Sequence, residues 1–303
     1  MKNRNQYKSK IKEGNRAVTV ILYLLAALMA FITVYPMYYV LILSLSEPQY
    51  AATMKVYTIP KGFNLGAYEV LVTDSKMWRA YANTFLYVIA NTILMVITST
   101  TVAFGLNYKK LIGRKFLTMF LLIPMYFGGG MIPSFLLIVK LGLYDSPLSQ
   151  IIPAAFSIWN IILVRSYFRS IPDSLSEAAK IDGAGILQIL VKIFVPLGKP
   201  IFAVIAVYTI VATWNSWFKA MLYLPHTDWQ PLQMHLRRIL VESTRTVTQA
   251  MDPAAAKEAA ARELSNAQLQ YAMIIFTTLP VLFAYPFFQR YFVKGMVMGS
   301  LKE

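Results

Sequence analysis

Six long runs of this chain contain no Asp, Glu, Lys or Arg, and they limit what the chain can fold into. Each run has at least about 19 residues, which as an α-helix crosses roughly 30 Å of hydrocarbon. A membrane β-barrel needs apolar and polar residues in alternation, and these runs do not alternate. The sequence therefore predicts an all-α membrane protein with six transmembrane helices. The runs are Ala17–Ser46, Ala80–Tyr108, Phe116–Val139, Ser146–Val164, Pro200–Phe218 and Leu264–Gln289.

Composition supports this class, since 57% of the residues are hydrophobic and only 14% are charged. A soluble domain has about 25% charged residues. The first run is too long for the apolar part of a cleaved signal peptide, and no small-residue cleavage site precedes Glu47. We therefore expect a cytoplasmic N-terminal tail over residues 1–16, a six-helix membrane domain over residues 17–292 and a cytoplasmic tail over residues 293–303.

The distribution of charge predicts the orientation in the membrane. With the N-terminus inside, the inside segments hold 18 of the 29 Lys and Arg residues but 5 of the 14 acids. Membrane proteins keep an excess of Lys and Arg on the cytoplasmic side. Both termini are therefore expected in the cytoplasm, with an external loop over residues 225–263. The +15 net charge is then a signal of topology, and it predicts contact with the lipid bilayer but no nucleic-acid partner.

Residues that usually carry catalysis or hold metals are scarce. The absence of cysteine excludes disulfides, thiol catalysis and thiolate metal sites. The two histidines, His226 and His235, fall in the external loop, where lone histidines are more often surface residues than metal ligands. The sequence has no GxxxxGKS or GxxxxGKT phosphate loop, no HExxH pair and no nucleophile elbow. It therefore predicts no enzyme, and no cofactor or metal bound by this chain.

Polar and helix-breaking residues inside the apolar runs mark a possible substrate path. Run three carries Pro124, three consecutive glycines and Pro133, which predict either a broken helix beside a cavity or a kinked packing helix. Asn83 and Asn91 need polar partners at membrane depth, from a neighbouring helix or from a substrate. The aromatic end of run five either lies at the membrane interface or stacks on a sugar ring. The candidate substrate-path residues are Asn83, Asn91, Tyr126, Gly129, Gly130, Trp214, Asn215 and Trp217.

A long polar loop over residues 170–200 separates runs four and five. Ser170–Asp173 is a typical helix start, with a capping hydroxyl, a proline and an acid. Gly183 allows this helix to meet a second one at a tight angle, and the second helix is expected from about Gly185 with one apolar face. By composition alone, the loop is either a connector on the membrane surface or a docking element for another protein.

The residue order of this loop resembles the EAA loop in membrane subunits of bacterial ATP-driven importers. One position departs from the sugar-importer branch, where Phe is usual and this chain has Ile189, which still supplies an apolar contact. The matching residues are Glu177-Ala178-Ala179, Asp182-Gly183-Ala184, Ile193, Pro196-Leu197 and Pro200. Further matching stretches are Asn83-Thr84, Ile123-Pro124-Met125, Gly129–Pro133, Leu141-Gly142-Leu143, Trp214–Phe218 and Pro231-Leu232-Gln233.

Almost the entire chain thus resembles permeases of the carbohydrate-uptake type 1 branch of ABC importers, in particular the maltose-permease-like second subunit and the complex-oligosaccharide uptake group. The resemblance implies the type I ABC importer permease fold in a bacterial cell membrane. It also implies a second homologous permease subunit, two ATPase subunits that hold ATP and Mg, and an extracellular or periplasmic solute-binding protein that delivers sugar. The implied ATPase-coupling residues are Glu177, Ala178, Ala179, Asp182, Gly183 and Ala184.

Three other functions are compatible with a polytopic membrane protein. The first is an importer of the same architecture for amino acids, peptides or phosphate, which the tryptophans of run five disfavour. The second is a secondary transporter, which typically needs a buried ionisable residue, and the six runs contain none. The third is a purely structural subunit, which the helix-breaking residues of run three disfavour.

The charge distribution predicts the result of reporter fusions. A reporter fused after Lys110 or Lys180 is expected in the cytoplasm, and one fused within residues 227–250 is expected outside, because Lys and Arg concentrate in the inside segments. Alkaline phosphatase and green fluorescent protein, which are active on opposite sides of a bacterial membrane, measure this in whole cells. Phosphatase activity from the Lys180 fusion would overturn the whole orientation.

Overall fold

The computed structural model describes residues 16–245 and 264–284, and this part of the chain is organised as a series of helices. The bounds are α1 Arg16–Ser44, α2 Pro48–Thr53, α3 Gly66–Thr73, α4 Ser75–Asn107, α5 Arg114–Tyr126, α6 Met131–Lys140, α7 Leu148–Ile151, α8 Ile158–Phe168, α9 Asp173–Ile181, α10 Ile186–Leu197, α11 Lys199–Trp214, α12 Phe218–Tyr223, a 3₁₀ turn Thr227–Trp229, α13 Leu232–Arg245 and α14 Leu264–Ala284.

Within the described residues, three helices are long and apolar enough to cross a membrane unbroken. They are α1, α4 and α14, which correspond to the first, second and sixth apolar runs. Helices are the expected solution because each backbone N–H and C=O in hydrocarbon must pair inside the segment. The longest, α4, begins where the carboxylate of Asp74 accepts a hydrogen bond from the backbone N–H of Lys76 at 2.9 Å. This cap satisfies one of the free donors of the first turn.

The third run forms two helices instead of one, which confirms the predicted break. Helices α5 and α6 meet at a bend of 114° across residues 127–130. Gly130 has φ +85° and ψ 175°, a backbone conformation that is essentially restricted to glycine. Pro133 lies in the first turn of α6, where its missing N–H leaves no intrahelical bond unmade. The conformation of Gly130 therefore allows the bend, and Pro133 is compatible with the start of α6.

The prediction of one continuous helix through the fourth run is wrong. Helix α7 ends at Ile151, a turn containing Pro153 follows, and α8 restarts after Ser157, whose hydroxyl accepts from the N–H of Asn160. The 11 residues of α8 rise about 16 Å, roughly half the hydrocarbon thickness. The six-helix count is accordingly not confirmed: the described part holds three unbroken spans, or up to five when the two bent helix pairs are included.

The second bent pair, α10 and α11, meets at 75° beside Gly198. Within α10, residues Leu190–Phe194 form a π-helical turn, in which one extra residue is accommodated. Such turns occur mostly as single insertions in α-helices and are frequent at functional sites. The predicted apolar face of this helix is present, since Ile189, Leu190 and Phe194 are buried.

The chain divides into two compact units. In the described part of the first, residues 16–70, 243–245 and 264–276, a small core forms around Ile42, Leu43 and Val56. The side-chain amide of Gln268 donates to the carbonyls of Ser44 at 3.2 Å and Asn64 at 3.1 Å. These hydrogen bonds satisfy two backbone carbonyls, one at the end of α1 and one in the segment before α3.

The second unit, residues 71–242 and 277–284 of the described part, contains the elements that matter most for function. Helix α4 packs along both α8 and α11, and α10 joins their contact region. Its buried core consists of Ala103, Leu106, Ile161, Val164, Phe168, Ile189, Leu190, Phe194 and Ile205. Residues 246–263 of the predicted external loop and both predicted tails lie outside the described residues, except that α1 begins at Arg16.

The geometry of the α5–α6 break predicts different effects for its glycines. Gly130→Ala is expected to destabilise the fold by about 1–3 kcal/mol, because alanine does not tolerate this backbone conformation. Gly128→Ala is the matched control, since Gly128 has no positive φ and an added Cβ would meet nothing within 4 Å. Thermal unfolding of the detergent-purified protein measures both variants. Equal unfolding temperatures would mean that Gly130 is not a conformational requirement.

Candidate functional site

Helix α9 forms the first half of the predicted docking loop. It begins at Asp173, whose charge is favourable beside the partial positive charge of a helix N-terminus. Ser170, predicted to open this helix, does not cap it, because its hydroxyl donates to the carbonyl of Tyr167 at 2.7 Å. The predicted start was therefore wrong in its capping residue: the serine closes the end of α8 instead of opening α9.

The turn after α9 depends on Gly183, which has φ +81°. The N–H of Gly183 donates to the carbonyl of Lys180 at 3.1 Å, and the N–H of Ala184 donates to the carbonyl of Ala179 at 2.8 Å. These two bonds, with a left-handed glycine between them, are the Schellman arrangement that ends many helices. It fixes the direction in which the chain leaves α9, as the sequence predicted for this glycine.

One side of α9 and of the following turn faces away from the core of the unit. Ala178 and Asp182 are exposed, and two large apolar side chains nearby are unusually open, Ile181 at 86% and Leu187 at 75% exposed. Apolar side chains displayed beside charged residues typically mark a surface that another protein covers. Of the predicted coupling residues, Glu177, Ala178, Asp182 and Gly183 are exposed, while Ala179 and Ala184 are half-buried against the core.

The opposite side of α9 is fastened to the short basic turn that follows α4. Lys109 Nζ lies 2.7 Å from the carboxylate of Asp173 in an exposed ion pair. Its hydrogen bond to Asp173, together with the charge of that carboxylate, raises the pKa of Lys109, so this lysine stays cationic at neutral pH. Lys180 lies over the ring of Tyr108, 5.5 Å from its centre. These contacts hold α9 at two points along one side.

The second half of the loop is held by aromatic packing. The ring of Phe194 makes edge-to-face contacts with Phe104 of α4 and Phe168 of α8, both at 5.0 Å between ring centres. Ile189, where the sugar-importer branch usually has Phe, is only 3% exposed and belongs to the same core. It therefore supplies the apolar contact that was expected of it. The loop is thus open on one side and continuous with the helical core on the other.

A second site lies in the same unit, a cavity of about 330 Å³ between α4, α8 and α11. Its wall is rich in amides and hydroxyls, with Tyr87, Phe156 and Tyr208 as the aromatic residues. Cavities that bind small molecules usually combine an apolar wall with a few polar groups that fix orientation. The polar lining residues other than the tyrosines are Asn91, Gln150, Ser157, Asn160, Thr209, Thr213, Ser216 and Lys219.

Asn91 is the predicted path residue that lines this cavity. Its side-chain N–H groups donate to the carbonyl of Gln150 at 3.3 Å and to the hydroxyl of Thr213 at 3.4 Å. Its carbonyl oxygen is buried and has no hydrogen-bond partner in the part of the chain described. An unpaired buried acceptor is costly, so a donor such as a hydroxyl group of a ligand would be stabilised there. Both interpretations of Asn91, interhelical bond and ligand contact, remain compatible with this geometry.

Two other predicted path residues make internal contacts. The side-chain amide of Asn83 donates to the backbone carbonyls of Asp228 at 2.8 Å and Gln230 at 3.1 Å, so it anchors the segment around these two residues to α4. Trp214 is 4% exposed, and its indole N–H donates to the carbonyl of Thr277 at 3.3 Å. Its ring is surrounded edge-on by aromatic side chains of α4. In this structure neither side chain reaches the cavity.

The remaining predicted path residues are more open but do not line the cavity. Trp217 is 37% exposed, and the guanidinium of Arg237 lies 4.1 Å from its ring centre. Asn215 donates to a carbonyl of its own helix, that of Val211, at 2.9 Å. Tyr126 is 75% exposed and lies, like Gly129 and Gly130, at the α5–α6 break. The structure therefore does not bring these residues together with Asn91.

Most polar residues of the cavity were not predicted from the sequence. Gln150 and Asn160 stand inside the fourth apolar run, and Thr209 and Thr213 stand inside the fifth. Isolated polar residues in such runs are a usable signal, because a lipid-facing amide or hydroxyl is disfavoured. Lys219 follows directly after the fifth run, so the run itself gave no signal for it. No group of three or more His, Cys, Asp or Glu residues that could hold a metal occurs among the described residues.

These features are those of a transporter subunit, and the comparison with known families agrees. Residues 97–298, which include the loop and most of the residues that line the cavity, match the family described as binding-protein-dependent transport system inner membrane component. The chain belongs to this family. It is therefore a multi-pass membrane component of an ABC transporter, and the resemblance stated from its sequence is confirmed.

Individual relatives are similar over almost their whole length. The polygalacturonan/rhamnogalacturonan transport system permease protein YtcP of Bacillus subtilis (strain 168) is 33% identical over 288 residues, which cover 95% of this chain and 99% of that protein. The arabinooligosaccharides transport system permease protein AraQ of Halalkalibacterium halodurans is 26% identical, covering 91% and 94%. A chain in the crystal structure of a bacterial ABC transporter involved in the import of the acidic polysaccharide alginate superimposes with a TM-score of 0.81, at 32% identity, covering 91% and 97%.

Proposed function

We propose that this chain is one of two membrane-spanning permease subunits of a bacterial, binding-protein-dependent ABC importer for oligosaccharides. The observation that carries the proposal is the nearly end-to-end similarity to permeases whose names specify polygalacturonan, rhamnogalacturonan or arabinooligosaccharides. The partners are a second homologous permease subunit, two ATPase subunits and an external solute-binding protein. ATP and Mg belong to the ATPase subunits, since this chain carries no phosphate-loop motif of its own. Both termini lie in the cytoplasm.

The substrate class that we favour is an acidic oligosaccharide. Alginate and polygalacturonan, which appear in the descriptions of two similar systems, are both polymers of uronic acids. Lys219 is the one charged residue among those that line the 330 Å³ cavity, and it is exposed there. It forms no ion pair with any residue in the described ranges, which leaves its ammonium group available. The lining thus combines hydrogen-bonding groups for hydroxyls with one cation for a carboxylate.

Coupling to ATP hydrolysis is assigned to the exposed side of the loop. Ala178, Ile181 and Asp182 would enter a groove of an ATPase subunit, while Phe194 and Ile189 join the loop to α4 and α8. ATP binding closes the two ATPase subunits, and the loops of the two permeases transmit the motion so that the cavity opens outward. Physically, such a device has two alternative packing arrangements. Nucleotide bound to the ATPase subunits and sugar bound in the cavity each shift the equilibrium between them.

The coupling assignment predicts a specific defect for Gly183→Val. Valine in this left-handed position is expected to strain the turn by about 1–3 kcal/mol and to change the angle of α9. The variant should insert into the membrane normally, lose uptake, and show ATP hydrolysis that sugar-loaded binding protein no longer stimulates. Uptake in cells and ATPase activity of the purified complex, with and without loaded binding protein, measure these effects.

The matched control for this prediction is Gly185→Val, two residues away. Gly185 has φ −71° and ψ 164°, which valine adopts readily, and an added Cβ would meet nothing within 4 Å. It should retain uptake and stimulation. Glu177→Lys reverses a charge on the exposed helix and is expected to act like Gly183→Val. Wild-type uptake and stimulation in both Gly183→Val and Glu177→Lys would reduce the loop to a connector.

Charge recognition in the cavity predicts a substrate-dependent effect of Lys219→Gln. Uptake of galacturonate oligosaccharides should fall about tenfold, the size expected for losing one charge-assisted hydrogen bond. Uptake of their methyl esters, which have the same length and no charge, should be unchanged. The measurement is transport by the reconstituted complex, with the affinity of the binding protein for each sugar determined separately.

Two further variants control this experiment. Lys219→Arg keeps the charge and should preserve the preference for the acid, whereas Lys140→Gln removes an exposed lysine of α6 outside the cavity and should change neither uptake. Equal losses for acid and ester would contradict charge recognition by Lys219. A wild-type complex that imports labelled amino acids or peptides, but no oligosaccharide, would contradict the proposed function itself and favour the same architecture with another solute.

A further inference from the structure

A further cavity, of about 680 Å³, is separate from the one between the transmembrane helices. It lies beside the docking loop, on the side that the charge distribution assigns to the cytoplasm. Its walls come from the end of α4, the start of α5, the end of α8, and from α9 and α10. The cavity therefore lies between α9, which is proposed to move, and α4 and α8, to which the motion is proposed to be transmitted.

The lining of this cavity is strongly cationic. Two acids, Asp173 and Glu177, are outnumbered threefold by basic residues, and Asp173 already pairs with one of them at 2.7 Å. Concentrated charge of one sign in a cleft raises the local concentration of the opposite ion. The basic lining residues are Lys109, Lys110, Arg114, Arg165, Arg169 and Lys180.

Most of these cations have no counter-charge. Within residues 16–245 and 264–284, no ion pair involves Arg114, Arg165 or Arg169. The Nε of Arg165 is buried and has no hydrogen-bond partner in the same ranges. Planar guanidinium groups that converge on one space match the geometry of a phosphate, which accepts two parallel hydrogen bonds from each. A bound anion would relieve the repulsion between these groups and satisfy the buried donor.

The rest of the wall is apolar. Phe104, Phe168 and Phe194, the three rings that join the loop to the core, also line this space, together with Ile186 and Ile189. A cationic rim beside an aromatic and aliphatic wall suits an amphiphilic phosphate, such as a phospholipid headgroup with the start of its acyl chains. A free phosphate compound would use the rim alone.

From this cavity we propose a ligand site that is separate from the sugar path: it binds a phosphate-bearing anion between α5, α8 and α9. The anion bridges the arginines of the membrane helices and Lys180 of the coupling helix. Because it ties α9 to the end of α8, it fixes the angle at which the coupling helix meets the ATPase subunit. The efficiency of coupling then depends on the anion.

The test uses the complete purified complex in lipid nanodiscs. One set contains phosphatidylcholine alone, and the other contains phosphatidylcholine with phosphatidylglycerol. Native mass spectrometry measures the phosphatidylglycerol that each complex retains. The double variant Arg114→Gln with Arg169→Gln is expected to reduce retention about tenfold, since each cation near an anionic headgroup contributes to binding. It is also expected to weaken the stimulation of ATP hydrolysis by sugar-loaded binding protein.

A second arm distinguishes a lipid from a soluble anion. Inorganic pyrophosphate is added to complexes in phosphatidylcholine alone, and protection against thermal unfolding is measured. Retention of phosphatidylglycerol assigns the site to a headgroup, whereas protection by pyrophosphate without retention assigns it to a free phosphate. Either result supports the site when the double variant loses it. The matched control is Lys192→Gln with Lys199→Gln. It removes two exposed charges of the same loop that lie outside the cavity, and it should change neither lipid retention nor protection by pyrophosphate.

Assembly is checked with Arg114→Lys and Arg169→Lys, which keeps both charges and is expected to retain binding within severalfold. If the glutamine variant is not recovered from the membrane at all, competition in the wild type decides, because pyrophosphate should then displace retained phosphatidylglycerol. The proposal is overturned if wild type and variants retain lipid equally and pyrophosphate neither protects nor competes. It is also overturned if the glutamine variant loses its ATPase subunits at every lipid composition, since the cavity would then receive an acidic protein surface.

Discussion

The ring of Phe194 lies edge-on against Phe104 and Phe168, and these two contacts at 5.0 Å join the loop over residues 170–200 to two helices of the core. Each aromatic pair adds about 0.5–1.5 kcal/mol beyond the burial of its surface. The polar attachments of the loop include an exposed ion pair and a cation–π contact, which water and salt weaken. In the proposed coupling mechanism, these ring contacts would carry a displacement of α9 to the membrane helices.

Helix α4 contacts three functionally relevant parts of the unit: the segment 228–232, the smaller cavity and the loop over residues 170–200. Near its N-terminal end, Asn83, Thr84 and Tyr87 bind backbone groups of residues 228–232, which fixes that segment. In its middle, Asn91 lines the cavity proposed for sugar. At its C-terminal end, Phe104 packs against the loop and Asn107 donates to the carbonyl of Arg165 at 3.1 Å. Residues spaced along one helix thus link the segment 228–232, the cavity and the loop.

The two cavities use charge in different ways. The smaller one has a single lysine among neutral polar groups, which suits the proposed passage of an anion that must also be released. The larger one has a surplus of basic residues over acids, which suits a ligand that stays in place. Because opposite charges attract more strongly where water is partly excluded, the number of cations in each wall sets how firmly an anion is retained.

Much of the architecture was determined by the sequence itself. Charge-free runs dictate helices, since hydrocarbon offers no partner to a free backbone group, and Gly183 and the glycines after Tyr126 ended helices where predicted. Which polar residues meet was decided only by the tertiary structure. In a soluble helix the apolar stripe identifies the inner face, but in a membrane helix the lipid-facing side is apolar as well. The sequence therefore could not distinguish Asn83, which holds a loop, from Asn91, which lines a cavity, nor show that Trp214 is buried, because each of these depends on how neighbouring helices are rotated.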